Sequence, residues 1–441
     1  MKIVPGYLPR SRRSAGRGRF IFPPVPRFWL LCCALGVSCA AQAGQDVPLT
    51  LAAAEDLALD HEPGQVALEA RAEALDEQAV AAGQLPDPML RMGLANFPLQ
   101  SGGFSTEAMT QAQLGIRQAF PPGKSRSVST RRFRSLALEM EESADARRRD
   151  VLLAVRQDWL DSYYWQRAQA IVSESRPFFG DLVSVTRSLY EVGRKTQQDL
   201  LRAELELSRL DDRVIEIDRH QAEARAALSR WVATAAARPI ALKLPAWEQL
   251  PAPEKLHDSL LEHPAVRAAD ARISAHNAGV DLAHEQYKPG WALDLGYGYR
   301  DGMLPSGEPR SDFVSLSVTV DLPIFRSNRQ DRALGAALRE RRAANESRDE
   351  LLRRLASELD REHARWQQLT RRIALYESRI VTQAEGRANA ALLAYQSDAG
   401  DFADVMRGYI DDLDTRLELV RLQVERAQTY AVLANLGGMP R

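Results

Sequence analysis

The sequence predicts a mainly α-helical protein that carries four strands of membrane type. Three observations lead there. The chain repeats itself once at a spacing of about 200 residues, each copy holds two strand-length stretches of alternating pattern, and each then runs for about 50 residues without a helix breaker. Of the 441 residues, 45% are hydrophobic and only 7% aromatic, and 58 Lys+Arg stand against 59 Asp+Glu. That balance excludes a disordered chain and a polybasic nucleic-acid binder. Stretches dominated by Leu, Ala, Arg, Glu and Asp suit long helices that bury narrow seams rather than one thick core.

Residues 1–43 read as an export signal. Lys2, Arg10, Arg12, Arg13, Arg17, Arg19 and Arg27 come without an acid, the apolar run Phe28 to Val37 follows, and Ala41-Gln42-Ala43 favours cleavage before Gly44. The apolar run is roughly half the ~20 residues that a bilayer-crossing helix needs. The residues after Arg12-Arg13 do not fit a twin-arginine signal, so general secretion is expected. Removal of the signal leaves 51 bases against 59 acids, a net charge of −8. Cys32, Cys33 and Cys39 all lie inside it, which leaves no disulfide or thiol chemistry for the remainder. Cys39 has Gly36 three positions before it, where a lipoprotein signal carries Leu, and this argues against acylation.

The duplication is read from collinear matches. Leu57, His61, Glu62 and Pro63 are echoed by Leu260-Leu261-Glu262-His263-Pro264 at an offset of 201, and Pro88 by Pro289 at the same offset. Phe120-Pro121 matches Leu322-Pro323 at 202, and Tyr190, Asp199 and Leu200 match Tyr395, Asp404 and Val405 at 205. Chance similarity of Leu/Ala-rich helices does not preserve order among prolines and turn residues. The repeats are placed at 44–240 and 241–441.

Within each repeat the period switches to two. Trp291, Leu293, Leu295, Tyr297 and Tyr299 alternate with Ala292, Asp294, Gly296, Gly298 and Arg300, and Val314, Leu316, Val318, Val320 and Leu322 alternate with Ser315, Ser317, Thr319 and Asp321. Asp301 to Arg310 is a Gly/Pro-rich surface loop. Weaker versions in the first repeat run through Leu90, Met92 and Leu94, then Ala112, Leu114 and Ile116. The expected strands are about 89–97, 110–119, 291–300 and 313–322. Strands of ~9–10 residues can cross a bilayer when tilted, and their alternation suits a barrel wall with lipid outside and water inside. A half-buried strand of a soluble sheet shows the same alternation; export and tyrosines at strand ends favour the membrane. Four strands cannot close a membrane barrel, because open edges would leave backbone groups unpaired in hydrocarbon, so several copies must share one.

Residues 124–176 and 336–385 contain neither Gly nor Pro. With their return segments they predict helical hairpins over about 124–232 and 326–436, some ~75–100 Å long. Pro177 and Gly180 are expected to kink or interrupt the first hairpin, and the second has no matching proline.

Taken together, these residues resemble the TolC-type outer membrane efflux channels, the outer membrane factors of tripartite efflux systems. The resemblance covers residues 44–441. It rests on the duplicated order of helix, two strands and long hairpin, on Gln118-Ala119-Phe120-Pro121-Pro122-Gly123-Lys124 and its echo Val320-Asp321-Leu322-Pro323-Ile324-Phe325, and on the tip sequences Tyr190-Glu191-Val192-Gly193 and Tyr395-Gln396-Ser397-Asp398. It implies a homotrimer whose twelve-stranded β-barrel in the Gram-negative outer membrane stands on a long α-helical periplasmic tunnel. The implied partners are a periplasmic adaptor (membrane fusion protein), an inner-membrane pump such as the RND type, and outer membrane lipid. The implied function is passive conduction of metal cations or small organic compounds from pump to exterior. The proline-glycine turn and the acidic tip look like the heavy-metal branch, whereas the lack of Met or His clusters for a soft cation leaves drugs and other organic solutes open.

The resemblance also implies a gate at the second hairpin tip, with Tyr395, Asp398, Asp401, Asp404 and Arg407 as its residues, and a first tip at Tyr190, Gly193 and Asp199. Tyr395 and Asp404 match the family's tyrosine and first aspartate. Arg407 departs from the pattern where a second aspartate is expected, and Gly400 where an arginine latch often sits. Carboxylates of Asp398, Asp401 and Asp404 around a threefold axis would favour cations. A local reading stands beside it: Asp401 as the cap of a helix starting near Phe402, with Asp404 favouring its dipole.

Signals for catalysis are poor. His61, His220, His257, His263, His276, His284 and His363 form no ligand pair at helical spacing, and no nucleophile turn, phosphate loop or dinucleotide fingerprint is present. Gly296-Tyr297-Gly298 lies in a strand. Arg147-Arg148-Arg149 and Arg339 to Arg342 are interleaved with acids on long helices, so they read as solvated faces rather than nucleic-acid contacts, and Trp159, Trp165 and Trp366 as seam packing. The expectation is no enzyme, no cofactor and no metal site. The competing expectation is a periplasmic helical scaffold or adaptor without a pore.

Overall fold

A computed structural model describes residues 47–60, 62–397 and 399–437. The expected export signal, His61 and Asp398 lie outside them. The elements come twice in the same order. The first series is α1 (Leu51–Leu59), α2 (Pro63–Ala82), β1 (Met89–Ala95), β2 (Gln111–Phe120), α3 (Ser125–Glu191) and α4 (Gln197–Val232). After a 3-10 turn at Ala233–Ala237 the second is α5 (Pro253–Leu260), α6 (Pro264–Glu285), β3 (Trp291–Tyr299), β4 (Phe313–Val320), α7 (Gln330–Leu375), a π-helical turn (Tyr376–Ile380), α8 (Val381–Gln396) and α9 (Phe402–Gly437).

Local chemistry starts these helices where the matching residues stand. Thr50 accepts from the Ala53 N–H at 3.2 Å, and Glu62 from the Gln65 N–H at 2.5 Å. His263 Nδ1 accepts from the Ala265 N–H at 3.2 Å. Pro63 and Pro264 follow their caps at the first helical position, where a missing N–H costs nothing. Thr196 and Asp199 close a reciprocal capping box on α4.

α3 has 67 residues, about 100 Å at 1.5 Å per residue. The second outgoing run, Gln330–Gln396, has the same length, and α4 and α9 have 36 residues each. Pro177 sits inside α3 without interrupting it, so of the expected kink or interruption the interruption does not occur. The reason is packing: Val172, Phe179, Leu182 and Val183 are buried on either side of it, and one lost backbone hydrogen bond does not outweigh them. The irregularity lies instead in the second hairpin, as the π-helical turn.

α3 is the central stave. It packs along α2, α4, α6 and α9, while α7 packs on α6 and α9. A long seam of buried side chains runs from Leu49, Val155 and Trp159 through Val172 and Leu182 to Tyr395 and Phe402. A smaller cluster joins Leu256, Val266, Leu359 and Leu433. The seam is wrapped by a strap before α1: Leu49 pairs in parallel with Ile240, and the Trp159 Nε1–H donates to the Leu49 carbonyl at 3.0 Å. Beneath it the Arg156 Nε–H donates to Glu55 Oε1 at 2.5 Å, with both side chains buried.

The four strands form one antiparallel sheet in the order β1-β2-β3-β4, so the repeats meet at the central β2–β3 pair. Its register makes it two-sided. Leu90, Ile116, Leu295 and Leu316 form one row across all strands, and Met92, Leu114, Tyr297 and Val314 the next, all exposed. Arg91, Gly115, Gly296 and Ser315 form a row on the opposite face, next to Arg117, Asp294 and Ser317. Among the described residues β1 and β4 are both unpaired edges.

Candidate channel gate and barrel wall

The first hairpin turns at Gly193, whose φ of +73° is the left-handed region that glycine enters freely. The Gly193 N–H donates to the Tyr190 carbonyl at 2.9 Å. Tyr190 is exposed, and Asp199 serves the α4 capping box. At the second tip Asp401 Oδ1 accepts from the Ala403 N–H at 3.3 Å, and its carbonyl accepts from the Asp404 N–H at 3.1 Å, so it caps α9. Arg407 Nη2–H donates to Asp404 Oδ1 at 2.6 Å, one helical turn on and exposed. Asp398 lies outside the described residues.

Tyr395 does not project into open space. It is 5% exposed, packs edge-on against Phe402 at 5.6 Å between ring centres, and carries the Lys195 ammonium 4.3 Å above its ring. Phe178 of α3 stacks on Tyr409 of α9 at 3.7 Å. The two tips are therefore packed side by side, around a groove of about 550 Å³ between Leu182, Leu189 and Leu392. Gly408 permits the close approach of α8 and α9, since a Cβ there would lie 2.9 Å from Ala388 Cα. Further along, Arg213 binds Asp414 at 2.7 Å across the hairpins. Of the sequence candidates, the structure brings Asp404 and Arg407 together and ties Tyr395 to Lys195. Tyr190 is exposed, and Asp199 is engaged in the capping box of its own helix. Lys195, Phe178 and Tyr409 escape sequence reasoning, because nothing in local spacing couples residues about 200 positions apart.

At the other end, the polar face of the sheet is a trough of about 520 Å³ lined by Arg91, Gln113, Arg117, Asp294, Ser317 and Thr319. Arg117 faces Asp294 in register, with Nη1 and Oδ1 3.8 Å apart. The opposite, apolar face stays exposed among the described residues. Among them too, no helix is long and apolar enough to cross a membrane, and no group of three or more His, Cys, Asp or Glu side chains is placed to hold a metal ion. His257 pairs with Asp360 at 2.9 Å and His220 stacks on Trp165 at 4.1 Å, which accounts for two histidines by local contacts.

Residues 256–439, from α5 through α9, match the family described as outer membrane efflux protein. Over this span, somewhat under half of its length, the chain is similar to that family. The outer membrane efflux protein family is one of transport proteins rather than enzymes. Solved structures extend the likeness to the first repeat. CusC, described in terms of transmembrane channel formation, is 17% identical with a TM-score of 0.77 over 90% of this chain and 94% of its own. VceC of Vibrio cholerae is 20% identical with a TM-score of 0.72, over 88% and 96%. The open-state MtrE outer membrane channel of Neisseria gonorrhoeae is 17% identical with a TM-score of 0.67, over 88% of each. At these identities the structures speak for the fold, which this chain shares nearly end to end. No curated protein matches the chain in sequence.

Proposed function

We propose that the chain is the outer membrane channel of a tripartite efflux system, three copies of which share a twelve-stranded barrel. One observation carries the reading: a four-stranded sheet, apolar on one face and polar on the other, with both edges unpaired and its apolar face exposed among the described residues. In water such a face is a liability, and in hydrocarbon open edges cost several kcal/mol per unpaired group. Both are resolved when β4 of one copy pairs with β1 of the next until the sheet closes, with lipid outside and water inside. α3, α4 and α7 to α9 then continue as a periplasmic tunnel, and the hairpin tips form its inner mouth, where adaptor and pump engage.

Conduction is passive, with energy supplied by the pump. In the resting state the contacts of Tyr395 with Phe402 and Lys195 hold the tips together, the Asp404–Arg407 pair fixes a carboxylate beside them, and separation of the tips opens the mouth. The chain performs no covalent chemistry. Sarkosyl-resistant outer membrane fractionation with single-channel recording in planar bilayers tests the reading. Discrete conductance from a trimer is expected. A soluble, non-conducting protein would favour the periplasmic scaffold instead.

A further inference from the structure

We propose that Arg91 makes the barrel interior favour anions, so that the cargo is organic solutes bearing carboxylate, sulfonate or phosphate groups rather than metal cations. The inference rests on the channel reading and adds to it a substrate class. The four strands contain three charged residues, Arg91, Arg117 and Asp294, and the register puts all three on the polar face. Arg117 and Asp294 are cross-strand partners and cancel each other. Arg91 has no such partner: its row continues through Gly115, Gly296 and Ser315, and among the described residues no carboxylate pairs with it. Two successive positions in that row lack a Cβ, and one at Gly296 would fall 2.7 Å from Ser315 Oγ. No side chain at those two positions screens the uncompensated guanidinium from the lumen.

In a threefold barrel this places three Arg91 side chains at one level of a water-filled passage. A ring of one sign concentrates counter-ions and repels co-ions. Arg keeps its charge at any physiological pH. The acids of the hairpin tips do not offset the ring, because they lie most of the length of α3 away, against a screening length of about 8 Å at physiological salt.

No cysteine follows Cys39, so one introduced thiol reports alone on the rest of the chain. Gln113 lies on the polar face diagonally across from Arg91, about 7–8 Å away. Gln113→Cys in the full-length trimer is labelled with an anionic and a cationic methanethiosulfonate of similar size, with Arg91 retained or replaced by Gln, and Leu114→Cys is the apolar-face control. At low salt the ratio of anionic to cationic labelling rates is expected to fall by about threefold on Arg91→Gln, to hold with Arg91→Lys, and to converge in 1 M salt. An accessible thiol in the Gln113→Cys variant whose ratio ignores Arg91 overturns the anion inference and leaves the channel standing. A Gln113→Cys thiol no more reactive than the Leu114→Cys thiol shows that the polar face is not a water-filled lumen, and overturns both.

Discussion

Asp404 and Arg407 form an exposed pair on a single helix, so their bond contributes under about 1 kcal/mol to folding. Its worth lies in fixing where the carboxylate stands at the tip. Asp404→Ala is therefore expected to leave thermal unfolding nearly unchanged while raising single-channel conductance; unaltered conductance in an intact trimer removes Asp404 from the gate. His263 couples stability to pH. Burial, with the positive charge of Arg149 nearby, lowers its pKa from 6.5 to about 4, and its Nδ1 is an acceptor only when neutral. Between those values the unfolded chain holds the extra proton, so stability is fully present above pH 6.5 and declines as the pH falls towards 4, by at most about 3 kcal/mol. Unfolding midpoints across that window should show the slope, and His263→Asn, which keeps a capping acceptor without the titration, should flatten it. Local roles of this kind are legible in the sequence: the Asp401 cap and the first-turn place of Asp404 follow from spacing alone. The burial of Tyr395 under Lys195 is not, because the lysine comes from the other hairpin.

The long helices show a similar division. Most of their extent is legible in the absence of Gly and Pro, although α3 runs on through Pro177 and Gly180 and α8 through Gly386, and the matched lengths of the two hairpins are legible in the collinear offsets. The place of the irregularity is not, since a proline is conspicuous in a sequence and a π-helical turn is silent in one. The two features nevertheless share a level. Pro177 leaves the Ser173 carbonyl without its helical donor, and Ser378, 205 positions on, lies in the middle of the π-helical turn. Each hairpin thus has a weak point at the same distance from the sheet, and bending there would carry the tips outward. Pro177→Ala is expected to restore a continuous hydrogen-bond ladder and to slow amide exchange around Ser173 by the equivalent of about 1–3 kcal/mol. Exchange that does not slow shows that packing, rather than the proline, governs that stretch.

For the whole molecule, sidedness is what sequence and structure agree on most fully. The alternation in β3 and β4 is plain and that in β1 and β2 weaker, and the register is needed to show that the apolar residues of all four strands join one face. Leu316 lies mid-strand on that face and Ser317 on the other. Leu316→Arg is expected to cost about 2–4 kcal/mol in the bilayer and to abolish the trimer in outer membrane fractions, while Ser317→Arg is tolerated. Equal effects of the two would contradict a lipid-facing surface. Among the described residues a single chain displays two bare strand borders beside an oily strip, a combination that invites mispairing with any neighbour. If three copies share one barrel as proposed, biogenesis is a race between correct trimerisation and aggregation, and production that outruns the cell's periplasmic chaperones should yield insoluble deposits before it yields more pores.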